Sequence, residues 1–346
     1  MDPITHIVAG AAAAALATPE TAGLSPLIPI AVGVVASLTP DLDFLTKHFS
    51  QAAFLRHHHG ITHGILSTAI QGALIALTFA IFVGMQFYIP LLIAALAAEM
   101  THLILDMLLH SNGIAILSPF TERRFSIPLL LGINPLTALA QCHLQNIAVC
   151  TLCQLNSAIR NPLPLVLFIG AILGALDFAH VRIYAGVCIT FMALWYLLAW
   201  WARTAACTHL RKLSDYKGWE LLGPFPANFY LTRWLGVLRR EDVYETVIVQ
   251  LGRKGWLSRY SHGKNRLGTH LASAKQSPMR ETFETAAYVP FETEKEEPGG
   301  YKVTWIDLSH AMDPQIELVS VHVHLDEKGR ILRSAFRERW NTAVED

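Results

Sequence analysis

Residues 88–109 read YIPLLIAALAAEMTHLILDMLL, an apolar stretch that contains three ionisable side chains, Glu99, His102 and Asp106. A helix needs about 20 residues to cross a bilayer, so this stretch predicts a membrane-spanning helix. His102 and Asp106 are four residues apart, and Glu99 lies three residues before His102, which places all three on one face of that helix. A carboxylate inside a span costs about 2.5–3.5 kcal/mol on insertion scales. This helix face is therefore a candidate functional site.

Other apolar stretches predict further membrane helices on both sides of this one. Clear spans lie at 64–85 and 183–202, a shorter one lies at 163–176, and two short runs that are tilted, shallow or re-entrant lie at 7–17 and 27–38. Residues 128–159 are only moderately apolar, and we interpret them as one or two helices packed against the bundle.

The composition changes near residue 205. Only 16% of the residues are charged, compared with about 25% in soluble domains, and the shortage is confined to residues 1–205. Beyond it, apolar and polar residues alternate, as in 319–325, which predicts half-buried strands. The predicted fold is a mainly α-helical membrane bundle of about six spanning or partly spanning helices (1–205), followed by a small α+β or strand-rich soluble domain (206–346).

The ends of the first four apolar runs carry acids and histidines. If each run crosses once, the start of the first, the end of the second, the start of the third and the end of the fourth share one side of the membrane. The residues at these four ends are Asp2, His6, Asp41, Asp43, His58, His63, His102 and Asp106. The same side carries Arg56, Arg123 and Arg124, whereas the opposite loops have no Lys or Arg, so the positive-inside rule places it in the cytoplasm together with the C-terminal domain.

A mixed set of histidines and aspartates without cysteine suits zinc, with manganese or iron(II) as alternatives. We predict that His6, Asp41, Asp43, His58, His63, His102 and Asp106 bind one or two divalent metal ions. Asp2 or Glu99 is the candidate general base, and Arg56, Arg123 and Arg124 are candidate phosphate ligands. Other interpretations remain open: Asp41 and Asp43 would also cap a turn, Glu99 would also pair with an arginine, and basic residues also bind anionic lipid.

These motifs resemble those of the membrane-bound metal-dependent hydrolase family that includes the bacterial inner-membrane proteins YdjM and YbcI. The resemblance covers residues 1–120 and is carried by Thr5-His6, Pro40-Asp41-Leu42-Asp43, His58-His59-Gly60-Ile61-Thr62-His63 and the His102/Asp106 pair. His59 stands where the family usually has Arg, and Gly64 where it usually has Ser. The resemblance implies a multi-pass protein of the bacterial inner membrane with hydrolase activity.

Two functional hypotheses follow. The first is a membrane-bound metal-dependent hydrolase that acts on a phosphoester or another ester, including a lipid, at the inner membrane surface. The alternative is a non-catalytic metal-binding scaffold or sensor whose C-terminal domain binds a partner. An ion transporter ranks last, because the polar residues gather at one end of the spans. The formal net charge of zero argues against a nucleic-acid partner, and the sequence gives no indication of oligomeric state.

Overall fold

The structure is a computed structural model, and it describes most of the chain outside one long central segment. The described residues are 3–48, 59–110, 113–121, 123–131, 178–227, 231–264, 271–277, 279–280, 283–284, 287–311, 319–338 and 341–345. The shorter span predicted at 163–176 and nearly all of 128–159 lie outside them.

Five long helices form the N-terminal part of the described structure. They are α1 (Pro3–Ala17), α2 (Leu27–Leu38), α3 (Ile65–Val83), α4 (Tyr88–Met107) and α5 (Phe178–Arg211). Four stretches are long and apolar enough to cross a membrane, namely 27–44, 65–83, 85–107 and 181–211, and α1 is a shorter apolar helix. The predicted helical membrane region is confirmed.

Glycines let α1 and α2 approach each other closely. A Cβ atom on Gly33 of α2 would lie 2.6 Å from the carbonyl oxygen of Gly10 on α1, and one on Gly10 would lie 2.3 Å from Cβ of Ser37. Small residues allow such contact between helix backbones in a membrane, where van der Waals packing replaces the hydrophobic effect. Alanines continue this core between α2, α3 and α4, among them Ala36, Ala76 and Ala95. The close packing brings the start of α1 beside the ends of α2 and α4.

The C-terminal part consists of two antiparallel sheets, as the alternating sequence predicts. A two-residue parallel pair, β1 (Leu109–His110) with β2 (Leu130–Leu131), comes before them in the chain. The first sheet has the order β3-β4-β5-β6, with β3 (Glu220–Pro226), β4 (Arg233–Arg240), β5 (Val243–Gln250) and β6 (Ser258–Lys264). A one-turn helix, α6 (Leu271–Ala274), follows. The second sheet has the order β11-β10-β9-β8-β7, with β7 (Pro290–Glu297), β8 (Gly300–Asp307), β9 (Val319–Asp326), β10 (Ile331–Glu338) and β11 (Asn341–Glu345).

Asp307, at the end of β8, fixes the chain around the second sheet. Its carboxylate accepts hydrogen bonds from the backbone amides of Tyr288, Val289 and Ser309 at 2.9–3.0 Å. Burial alone would raise the pKa of this carboxyl, but hydrogen bonds from His310 and from those amides outweigh burial and hold its pKa well below the usual range.

Helix α5 connects the two parts without a break. Its 34 residues give a length of about 51 Å, whereas a bilayer core is about 30 Å thick, so the helix extends well beyond the membrane. Ala206 and Leu210 near its end pack against Trp234 of the first sheet, in a cluster that also includes Leu108 and Leu129. Since Leu108 directly follows α4, the sheets lie on the same side of the membrane as the end of α4. The domain boundary predicted at 205–206 falls inside α5.

Candidate metal centre

Three chain segments bring acids and histidines to one end of the bundle. The 3-10 helix Pro40–His48 follows α2 and carries Asp41 and Asp43, and the 3-10 turn Ile61–His63 precedes α3 and carries His63. The last two turns of α4 carry His102 and Asp106. Because α2 and α4 run toward this end and α3 begins there, the reversals of the chain place the three segments together.

Four side chains form the centre of this cluster: Asp41, His63, His102 and Asp106, whose nearest donor atoms all lie within 4.8 Å of one another. His63 Nε2 lies 3.4 Å from Asp41 Oδ1 and 3.5 Å from Asp106 Oδ2. His102 Nε2 lies 3.7 Å from Asp41 Oδ1, 3.1 Å from Asp106 Oδ2 and 3.2 Å from His63 Nε2. Ligand atoms about 2.0–2.1 Å from a tetrahedral zinc lie about 3.3 Å from one another, so these spacings fit a four-coordinate cation.

Hydrogen bonds on the outer side of the two imidazoles orient their bare nitrogens toward the centre. His102 Nδ1 lies 2.7 Å from the carbonyl oxygen of Ser37, which only accepts, so Nδ1 carries the proton and Nε2 a lone pair. Thr62 Oγ1 donates to Asp43 Oδ2 at 2.9 Å and lies 3.0 Å from His63 Nδ1, which orients the second ring in the same way. Metal-binding histidines usually have such outer partners. Two lone pairs and two carboxylate oxygens then face one another, an arrangement that could hold a metal ion.

The cluster is buried, which raises the free-energy cost of leaving its carboxylates without a compensating positive charge. The side chains of His63, His102 and Asp106 are fully buried, and that of Asp41 is 21% exposed. Unpaired buried carboxylates are costly, whereas two carboxylates and two neutral imidazoles around a divalent cation give no net charge. Burial lowers the pKa of His63, but hydrogen bonds with Asp106 and Asp41 outweigh it and raise that pKa to about 9. Without a metal ion, a proton on His63 therefore compensates part of the negative charge of the two carboxylates.

Two further histidines adjoin the four central residues. His6 Nε2 lies 3.2 Å from Asp106 Oδ1, the carboxylate oxygen on the other side from His63 and His102, and the His6 ring stacks on His102 at 3.8 Å. Both ring nitrogens of His6 are buried, and apart from this contact of Nε2 with Asp106 neither has a hydrogen-bond partner among the described residues. His59 Nε2 lies 3.6 Å from Asp106 Oδ2.

The sequence profile of the YdjM inner membrane protein family matches residues 1–203, which is more than half of the chain. The chain belongs to the YdjM inner membrane protein family. The match includes every residue of the cluster, and with the four apolar helices it supports a location in the bacterial inner membrane.

A curated relative extends this comparison. The chain is 27% identical over 153 residues to the uncharacterized protein YfhP of Bacillus subtilis (strain 168). The matched region is 43% of this chain and 46% of YfhP, so the match covers about half the length of that relative. No solved structure matches the chain.

The cluster contains most of the residues that the sequence predicts as metal ligands. The structure brings together six of them, namely His6, Asp41, Asp43, His63, His102 and Asp106. The seventh, His58, lies outside the described residues, as do Asp2 and Arg56. His59, which belongs to the histidine run before α3 but was not among the predicted ligands, points into the cluster.

Backbone geometry explains the position of His59. It has a left-handed conformation with φ of 61°, which is uncommon for a residue other than glycine. Its backbone amide donates to Asp43 Oδ2 at 3.2 Å, and its carbonyl accepts from the amide of Ala115 at 3.0 Å. These two bonds hold the turn that directs the imidazole toward Asp106. Strained backbone of this kind is often found at functional sites.

The structure also describes three other predicted site residues, Glu99, Arg123 and Arg124. Glu99 is fully buried on α4, one turn before His102, and its carboxylate lies beside Gly72, where a Cβ would be 3.3 Å from Oε2. Neither of its oxygens has a hydrogen-bond partner of good geometry among the described residues. Arg123 is exposed and lies 5.4 Å over the ring of Phe125, and Arg124 is half-buried beside it.

Proposed function

We propose that this protein is a metal-dependent hydrolase that acts on an ester, with a phosphoester as the first candidate, at the surface of the inner membrane. One observation carries the proposal: the two bare imidazole nitrogens and two carboxylate oxygens at tetrahedral spacing. Asp41, His63, His102 and Asp106 would hold the first metal, with zinc ahead of manganese and iron(II). His6, beyond the second oxygen of Asp106, would hold a second metal if one binds.

The bound metal would supply Lewis-acid chemistry, which acidifies water and polarises the ester oxygen. Asp43 holds His63 through Thr62 and keeps its Nε2 directed inward. Glu99 and Asp2 are the proposed bases. Glu99 is the better-defined of the two, because a carboxylate buried beside Gly72 without a strong partner is suited to take up a proton. Arg123, Arg124 and Arg56 are proposed to bind the phosphate.

Exposed apolar side chains around the open side of the cluster support a substrate that comes from the bilayer. Asp41 is the only one of the four central side chains that reaches the surface. Leu42 and Phe44, close to it in the chain, and Ile61, two residues before His63, are more than half exposed, and Phe120 is 81% exposed. These side chains continue the lipid-facing surface of α3, which starts a few residues after Ile61. An amphiphile with its ester near the interface would reach the cluster along this surface.

The test is a comparison of metal content and turnover in purified full-length protein. We expect His102→Ala and Asp106→Ala to remove the bound metal while the protein stays in the membrane fraction. We expect Glu99→Gln to keep the metal and lose hydrolysis of a phosphodiester. His324→Ala, which changes a histidine of the second sheet paired with Glu297 at 3.3 Å, is the matched control. Equal metal content in all variants would refute the proposal.

A second candidate, a metal sensor, is favoured by the packing between the cluster and the sheets. The backbone amide of Ile127 donates to the carbonyl of Met107 at 2.6 Å, and that of Leu129 donates to Leu108 at 3.2 Å. Leu108 and Leu129 also pack against the first sheet. A sensor would change the protease sensitivity of residues 206–346 when zinc binds, and it would hydrolyse no ester at any zinc concentration.

The proposed side of the membrane is the cytoplasm, for both the cluster and the sheets. The support is the distribution of Lys and Arg, which are absent from the loops at 18–25 and 86–87. Protease added to inverted membrane vesicles should release the C-terminal sheets, whereas protease added to intact spheroplasts should not. The reverse pattern would contradict the proposed orientation.

A further inference from the structure

A surface groove of about 400 Å³ runs along α5 at the point where this helix leaves the membrane. It is lined by Trp201, Thr204, Ala205, Thr208, His209 and Lys212. The groove lies outside the metal cluster, and none of these residues has a role in the proposed hydrolysis. Its position and charge indicate what it binds.

Two tryptophans define the level of the membrane surface on α5. Trp200 and Trp201 are 51% and 64% exposed, and they end an exposed apolar face that includes Leu197 and Leu198. Tryptophan is enriched at the boundary between acyl chains and headgroups. Trp201 also lines the groove, and Lys212 lies eleven residues further along the chain, so the groove extends from the level of Trp201 to about 16 Å above it. The headgroup layer of one leaflet is about 5–8 Å thick, so the lower half of the groove lies within it.

A loop of the first sheet adds positive charge beside the groove. His209 Nε2 donates to the carbonyl oxygen of Gly255 at 2.9 Å, which holds the loop between β5 and β6 against α5. Arg253 and Lys254 directly precede Gly255, and both are exposed, as is Lys212. No acidic residue lines the groove. The bond from His209 therefore holds the backbone next to Arg253 and Lys254 beside α5, three residues before Lys212, and long basic side chains extend from such positions toward the interface.

We propose that this groove binds one anionic phospholipid of the adjacent leaflet. Its phosphate would lie in the lower half of the groove, toward which the side chains of Lys212, Arg253 and Lys254 would extend, and its acyl chains would lie on the exposed face below Trp201. Each basic residue near an anionic surface contributes attraction that corresponds to about a fivefold gain in affinity. The proposal does not depend on the hydrolase, because the groove and the metal cluster share no residue.

The test uses full-length protein in detergent, titrated with phosphatidylglycerol and, separately, with phosphatidylcholine, with bound lipid counted by native mass spectrometry. We expect phosphatidylglycerol to bind more tightly. We expect the double variant Lys212→Gln, Lys254→Gln to weaken its binding about 25-fold, as two lost charges require, and Lys212→Arg to retain it. The matched control, Lys295→Gln with Lys302→Gln, removes the same charge from a cross-strand pair of the second sheet and should leave binding unchanged.

Two outcomes would overturn the proposal. Equal binding of phosphatidylcholine and phosphatidylglycerol, or equal losses in the test and control variants, would show that the charges do not form a specific site. Displacement of the lipid by inorganic phosphate alone at similar concentration would show a site for the free anion, without a contribution from the acyl chains. A melting temperature for each variant verifies that weaker binding does not arise from unfolding.

Discussion

The sharpest quantitative test of the metal centre is Asp106→Asn. Asp106 contacts His102, His63 and His6 with its two oxygens, and it is fully buried, so the isosteric change removes one charge and one donor without leaving a cavity. Four-ligand zinc sites bind with about 10–16 kcal/mol near neutral pH, which is about 2.5–4 kcal/mol per ligand. Since about 1.4 kcal/mol corresponds to a factor of ten, the variant should bind zinc about two to three orders of magnitude more weakly.

The assay is competition for zinc between purified protein and a chelator of known affinity, at fixed pH. Asp43→Asn provides a graded comparison. Asp43 lies outside the four central residues and supports His63 through Thr62, so a loss of about 10- to 100-fold is expected, as for other outer partners of metal ligands. His324→Ala should have no effect.

The order of these three losses is the diagnostic result. If Asp106→Asn bound zinc as tightly as His324→Ala, or if Asp43→Asn caused the larger loss, the assignment of Asp106 to the centre would be wrong. Circular dichroism of each variant excludes loss of the helical bundle as the cause.

Three further predictions concern the scaffold. Gly33→Ala should destabilise the bundle by about 1–3 kcal/mol in thermal melts and weaken metal retention, because the new methyl group would contact the α1 backbone. The control is Gly186→Ala, which has open space around it and should leave the melting temperature unchanged. Asp307→Asn should lower the stability of the second sheet by about 1–3 kcal/mol at neutral pH. The pKa of Asp307 is lower in the folded protein than in the unfolded chain. The extra stability of the wild type is therefore present above about pH 4 and is lost as the pH falls further. Urea melts of the wild type and the variant should converge in acid. Glu245→Gln should cost about 1–3 kcal/mol in the same melts, because Arg259 holds both oxygens of the buried Glu245 carboxylate at 2.8 and 3.0 Å.

The convergence of the cluster was predictable from sequence because it follows from chain reversal. Apolar runs of spanning length fix the number of crossings, and the crossings fix which run ends meet. His6, Asp43, His63 and Asp106 come from four such ends, and the structure places all four at one end of the bundle. The prediction that these four residues meet depended on the order of the crossings and not on side-chain packing.

The inward position of His59 was not predictable in the same way. Three consecutive histidines precede α3 in the sequence, and they do not belong to an apolar run with a helical or strand period that would indicate which side chain points inward. A left-handed turn directs the ring of His59 toward the cluster, and that turn depends on hydrogen bonds to Asp43 and Ala115, which are distant in sequence. Contacts of this kind leave no local signal.

The C-terminal domain shows the same division between local and distant information. The alternation in 319–325 correctly predicted a strand, which the structure shows as β9, because this signal is local. The division of the strands into two sheets depends on side-chain packing between distant segments, and the sequence pattern does not contain it. The continuation of α5 to Arg211 was also missed, because a fall in hydropathy marks the membrane surface and not the end of a helix.

The extension of α5 beyond the membrane has a consequence for shorter members of the family. The family match ends at residue 203, yet Ala206 and Leu210 of the same helix rest on Trp234 of the first sheet, and Leu129 shares that contact. A homologue without the sheets would expose Leu108, two residues after Asp106, and its packing partner Leu129 to water. Such a protein would either bury these two leucines against a second subunit or have polar residues in their place. The residue types at positions 108 and 129 would distinguish the two cases.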